Sequence, residues 1–174
     1  MQIHRLSKPL WVVAILLSML LTTSGAWAAS ALKDFNGKQS AIADYAGKGK
    51  WLVVMLWASD CLVCNEEIGN YTAFQTKHAG KDATMLGVSI DGAEKEKDAK
   101  DFLTRHKVNF PSLIGEPQQV ASMFQELTGS EWIGTPTFMV YNPKGELIGA
   151  QTGAVPTDVI ESFIARESHG QKSE

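Results

Sequence analysis

Three observations predict an α/β fold built on a mixed sheet. Trp51 to Trp57 is an unbroken apolar run and Met85 to Ile90 is a second, and between them Ile68, Tyr71 and Phe74 recur at helical spacing. Strand, helix, strand in that order calls for a parallel pair covered on both faces. Further on, Thr137 to Tyr141 and Glu146 to Ala150 flank Asn142-Pro143-Lys144-Gly145, a turn composition that folds two strands back antiparallel. With 174 residues, 44% hydrophobic and 20% charged, the chain is large enough for one core and too short for two.

The first elements are an address. Arg5 and Lys8 precede the apolar stretch Leu10 to Leu21, and Ala26-Trp27-Ala28 offers small residues for cleavage, so residues 1–28 read as a signal peptide removed after Ala28. The alternative is an uncleaved membrane anchor, although Thr22, Thr23, Ser24 and Gly25 stop the apolar run short of the roughly 20 residues a span needs. Cleavage would leave 14 basic against 19 acidic residues, a charge of −5 on 146 residues. No run of five basic residues exists, which argues against a nucleic-acid partner. The expected location is periplasmic, where disulfides persist.

Ala29 to Lys50 is polar, with turn signals at Asn36-Gly37 and Ala46 to Gly49, and predicts a short hairpin or irregular lead-in. Trp51 to Trp57 is the expected central strand. After the second strand, Ala99, Phe102, Leu103 and His106 stand at i, i+3, i+4 and i+7 behind the charged turn Glu94 to Lys97, which predicts an amphipathic helix. His106 falls on its apolar face and is expected to be a satisfied core histidine. Val120, Met123, Phe124 and Leu127 repeat the pattern, with Pro117 in a first turn and Gly129 as a C-terminal cap, and Met123 reads as core. Val159, Ile160, Phe163 and Ile164 predict a closing helix, so the domain is expected to span 29–166 with a flexible tail over 167–174.

The chain has only two cysteines, Cys61 and Cys64, at the junction between the central strand and the helix after it. Two intervening residues on a first helical turn bring the sulfurs within disulfide reach. Unpaired N–H groups and the helix dipole beside Cys61 favour its thiolate, which makes it the expected nucleophile. Cys64, pointing back into the turn, is the expected resolving thiol. A purely structural bridge would gain little chain entropy from so short a loop.

Trp57-Ala-Ser-Asp-Cys-Leu-Val-Cys64, Glu67 three residues further on, Gly134-Thr-Pro-Thr137 before a strand, and the Asn-Pro-Lys-Gly turn together resemble the thioredoxin-fold superfamily. Within it the chain is most similar to exported TlpA-like (ResA-like) thiol-disulfide oxidoreductases, from about Leu32 to Ala165. The resemblance implies a thioredoxin-like three-layer α/β/α sandwich with a mixed central sheet and an N-terminal hairpin extension, the helix around Phe102 being an insertion. It implies that Pro136 is cis beside the cysteines, that the backbone at Thr135 pairs with an extended substrate segment, and that Glu67 manages the proton of Cys64. The alternative for Glu67 is an ordinary acid complementing the helix dipole. Trp57 is expected under the site and Trp132 on its substrate-facing rim. The implied partners are protein disulfides or dithiols and a membrane thiol electron donor; no cofactor and no metal is expected.

Five positions depart from the pattern. Asp60 replaces the usual aromatic residue before the first cysteine, and a carboxylate there opposes the thiolate, predicting a reducing couple. Leu62 and Val63 add no cation or imidazole to offset it. Gly69 stands where a helix-kinking proline is common, and Met55 stands where thioredoxin itself carries a buried acid. Three other readings compete: a disulfide oxidase or isomerase, a soft-metal (copper) binding protein, and a thiol peroxidase. The last would need Pro and Thr where Val54 and Ala58 stand.

Overall fold

The structure is a computed structural model describing residues 32–170. The expected signal peptide and residues 171–174 of the tail lie outside the described residues. The chain runs β1 (Leu32–Asp34), β2 (Gln39–Ser40), a 3₁₀ turn (Ile42–Asp44), β3 (Trp51–Trp57), α1 (Leu62–His78), β4 (Ala83–Ser89), α2 (Glu96–Arg105), β5 (Ser112–Ile114), α3 (Pro117–Thr128), β6 (Thr137–Tyr141), β7 (Leu147–Thr152) and α4 (Thr157–Gly170). The strands form one sheet in the order β2-β1-β5-β4-β3-β6-β7.

The central position of β3 follows from its composition: all seven residues are buried, so both faces are covered. It pairs in parallel with β4 from Trp51↔Ala83 to Trp57↔Ser89, and antiparallel with β6 from Leu52↔Tyr141 to Leu56↔Thr137. Its side chains alternate between two cores. Trp51, Val53, Met55 and Trp57 pack with Cys64, Ile68, Tyr71 and Phe74 of α1, Phe102 of α2 and Ile160 and Ile164 of α4. Leu52, Val54 and Leu56 pack on the other face with Val120, Met123 and Phe124 of α3. This is the expected α/β/α sandwich, and each such apolar side chain contributes about 1.5–3 kcal/mol by leaving water.

The β2-β1 ladder is the N-terminal hairpin, closed by Gly37 at φ 84°. At the far end Asn142 organises the β6–β7 turn, its Oδ1 accepting from the N–H groups of Lys144 and Glu146. Pro117 opens α3, and Gly129 ends it at φ 71°, the left-handed cap position.

α1 runs through Gly69 without interruption, in keeping with a glycine where a kinking proline is common. Two features differ from the sequence reading. β5 has only three residues behind Pro111, too few to carry a periodic signal, yet it joins β4 to β1. α4 continues to Gly170, beyond the expected boundary at 166, because Trp51 Nε1 donates to Ser168 Oγ at 3.0 Å and ties its last turn to the start of β3.

Candidate active site

The register of β3 against β6 brings the loop after Trp57 and the loop before Thr137 to the same end of the sheet. The first carries the cysteines. Cys61 is the N-cap of α1, with extended φ −73° and ψ 111°, and its sulfur accepts the N–H of Cys64 at 3.1 Å. The two sulfurs are joined in a disulfide, with the Cα atoms 5.2 Å apart. Cys61 is half-exposed and Cys64 fully buried, the inequality that the helix geometry predicts.

Three side chains hold this loop. Asn65, on the first turn of α1, donates from Nδ2 to the carbonyls of Ser59 and Cys61 at 3.0 and 2.9 Å. Its Oδ1 accepts from Arg105 Nη2 and His106 Nε2, each at 3.0 Å, so one amide links the redox loop to the end of α2. Asp91, two residues beyond the end of β4, takes the N–H and hydroxyl of Ser59. Beneath them Trp57 stacks on Phe102 with ring centroids 4.4 Å apart, and Phe102 meets His106 at 4.6 Å. Burial, with the neighbouring Arg105 cation adding, pushes His106 below its ordinary value.

Asp60 is exposed and forms a 2.8 Å ion pair with Lys95. The hydrogen bond from Lys95 holds the Asp60 carboxyl below the usual range, and the same contact raises Lys95. The charge expected to oppose a thiolate on Cys61 is therefore already met by the Lys95 cation, just before α2, which revises the reading of Asp60.

Glu67 is half-buried and accepts from Asn70 Nδ2 at 2.8 Å; among the described residues no hydrogen bond joins it to either cysteine. Tyr71, one turn on, donates to the Val155 carbonyl at 3.1 Å, and burial pushes its phenol up to about 12, with Glu67's charge adding.

The Thr135–Pro136 peptide bond is cis, and Pro136 is buried beside half-exposed Thr135. Thr137 Oγ1 donates back to the Gly134 carbonyl, closing this loop. Trp132 is half-buried against the α3-side core, and its neighbour Ile133 is 76% exposed. The exposed apolar side chains around the cysteines and the loop before Thr137 are thus Leu62 and Val63, on the first turn of α1, and Ile133.

A sequence profile of the AhpC/TSA family matches residues 26–150. The chain belongs to this family. Thiol-disulfide oxidoreductase ResA of Bacillus subtilis (strain 168) is 27% identical over 142 residues, spanning 82% of this chain and 74% of the relative. Among solved structures, the exposed lipoprotein thioredoxin Etrx1 of Streptococcus pneumoniae strain TIGR4 superposes with TM-score 0.57 at 26% identity, over 78% of this chain and 97% of that one. The dsbF structure from MTB has TM-score 0.64 at 19% identity over 83% and 98% of the two chains, a likeness of fold. This AhpC/TSA member is a thioredoxin-fold thiol-disulfide oxidoreductase, and the Cys61–Cys64 pair has the spacing that dithiol exchange requires.

Of the residues singled out in the sequence, the structure gathers Trp57, Asp60, Cys61, Cys64, Thr135 and Pro136 at one sheet end. Sequence reasoning missed Asn65, Asp91, Lys95 and Arg105, and gave His106 only a core role. Asp91, Lys95 and Arg105 act across the fold from distant elements, and Asn65 is local to the loop but is joined by Arg105 and His106 from 40 and 41 residues away; only Asp91 left a trace, as an acid directly after a buried run.

Proposed function

We propose that the protein is an exported, periplasmic reductase of protein disulfides. The observation that carries this reading is the unequal pair: a half-exposed sulfur at a helix N-terminus and a buried one three residues on. In the reduced enzyme the Cys61 thiolate attacks one sulfur of a substrate disulfide and expels the other as a thiolate. Cys64, deprotonated, then attacks Cys61, releases the second substrate thiol and leaves the Cys61–Cys64 disulfide, so two electrons pass to the substrate. Glu67, half-buried one turn beyond Cys64, takes the proton that Cys64 gives up. The backbone at Thr135 and Pro136 receives an extended substrate segment, and Trp132 braces the loop while Ile133 meets the substrate. A membrane thiol carrier returns the electrons.

The reducing direction fits a dipeptide, Leu62-Val63, that brings no cation to the thiolate, and a buried carboxylate, Asp91, bonded to Ser59 two residues before Cys61. The equilibrium reduction potential of the pair tests it. A value at or below about −250 mV is expected, whereas one near about −120 mV is that of an oxidant and sinks the reading. Peroxide turnover is expected to be negligible, because Val54 and Ala58 replace the Pro and Thr of a peroxidase site. A Cys61-dependent peroxidase rate would overturn that exclusion.

A further inference from the structure

Asp91 is the buried carboxylate nearest the redox loop, 8% exposed. Its oxygens accept the Ser59 N–H at 3.0 and 3.2 Å, the Ser59 hydroxyl at 2.8 Å and the Ser89 hydroxyl at 2.6 Å. The Ser89 hydroxyl in turn accepts the N–H of Asp91 at 3.1 Å. Every one of these donors is neutral. With both oxygens acting only as acceptors, the group is arranged as a carboxylate.

We propose that Asp91 is the positioning residue that sets the reduction potential of the Cys61–Cys64 couple, acting through Ser59. Two effects have the same origin. The three contacts to Ser59 fix the chain two residues before Cys61, which keeps Cys61 at the N-cap of α1. The negative charge, shielded from water, raises the energy of a thiolate on Cys61, so the reduced form is less stable and the couple more reducing.

Asp60 is closer in sequence but is the weaker candidate. Its side chain is 67% exposed and paired with Lys95, so solvent and cation both reduce its field. The charged groups facing the loop from the α2 side are Lys95, held by Asp60, Arg105, held with His106 by Asn65, and two exposed acids, Asp98 and Asp101, the second paired with Lys97. The two cations oppose Asp91 without bonding to it, and exposure to solvent weakens the field of the two acids. The inference needs only that the cysteine pair exchanges electrons; it does not depend on the reductase direction.

The test compares wild type, Asp91→Asn, and the double variant Asp60→Asn with Lys95→Gln. Each is equilibrated with dithiothreitol, and the pH profile of Cys61 alkylation by iodoacetamide is read in a Cys64→Ala background. Asp91→Asn keeps the shape of the side chain and removes its charge. It is expected to shift the exchange equilibrium at least tenfold toward the dithiol, about 30 mV for a two-electron couple, and to move the alkylation profile to lower pH. The double variant is expected to stay within threefold of wild type. An Asp91→Asn protein within threefold of wild type, or a double variant that shifts as far as Asp91→Asn, overturns the proposal.

Should Asp91→Asn fail to fold, salt supplies the second measurement on an otherwise unaltered Cys64→Ala protein. Raising it from about 0.01 M to about 1 M shortens the screening length from about 30 Å to about 3 Å. A profile governed by buried Asp91 stays in place, and one that moves with salt belongs to the exposed Asp60–Lys95 pair. A wild-type potential near that of an oxidant would end the reductase reading and leave the Asp91 difference standing.

Discussion

Cys61 and Cys64 are identical side chains made unequal by one helical turn. Solvent reaches Cys61 at the N-cap, and Cys64 lies in the core with Ile68 and Tyr71. Cys64→Ala is therefore expected to accumulate covalent adducts with substrates through Cys61, and Cys61→Ala to accumulate few; gel analysis after alkylation that finds the reverse exchanges their roles. Glu67 is a finer case, because its visible partner is Asn70. If it takes the Cys64 proton, Glu67→Gln moves the pH profile of mixed-disulfide release upward, and an unchanged profile leaves it a surface acid. Gly87 is a structural counterpart. A Cβ there would stand 2.6 Å from Ser112 Oγ and 2.8 Å from Trp57 Nε1, so Gly87→Ala should cost about 1–3 kcal/mol in urea unfolding by forcing the indole under the redox loop to move.

At the scale of elements, α2 does more than cover the sheet. Its final turn reaches α1 through Asn65, and His106 is part of that link. Burial, then the Arg105 cation, hold the folded His106 below the ordinary histidine value of about 6.5. The unfolded chain thus takes up a proton that the folded chain resists, so this contribution is complete above about pH 6.5 and declines as the pH falls below it. The carboxylates act lower: hydrogen bonds from Lys95 to Asp60, His78 to Asp82 and Lys77 to Glu161 depress all three. Their contributions hold above the unfolded carboxylate values of about 4 and are lost only as the pH falls through the folded ones. A drop in Tm between pH 7 and pH 5 that narrows in His106→Gln is the expected result; an equal drop in both proteins removes His106 as its source. The helix itself was legible from Ala99, Phe102, Leu103 and His106, because amphipathic spacing is local. Its link to Asn65 was not, since those partners stand 40 and 41 residues apart.

For the molecule as a whole, the same division between local and distant holds. The buried runs, the terminal hairpin and the cysteine spacing declared the mixed sheet and the redox pair, because each is written in adjacent residues. β5 is too short to declare itself, and the neutralisation of Asp60 by Lys95 needed the fold to bring α2 over the loop. Direction of electron flow is also a property of the whole molecule. A reducing couple is one whose fold favours the disulfide form, so the oxidised protein should unfold at the higher temperature; calorimetry finding the reduced form more heat-resistant would mark an oxidant. Because the bridge closes between an N-cap and the third residue of the same helix, it fastens no two parts of the molecule together. The 5.2 Å between its Cα atoms would stretch to no more than about 10 Å if those residues were fully extended. Breaking the bond therefore releases almost no slack, and a partner can hand over its electrons while still docked, to a body whose outline stays the same.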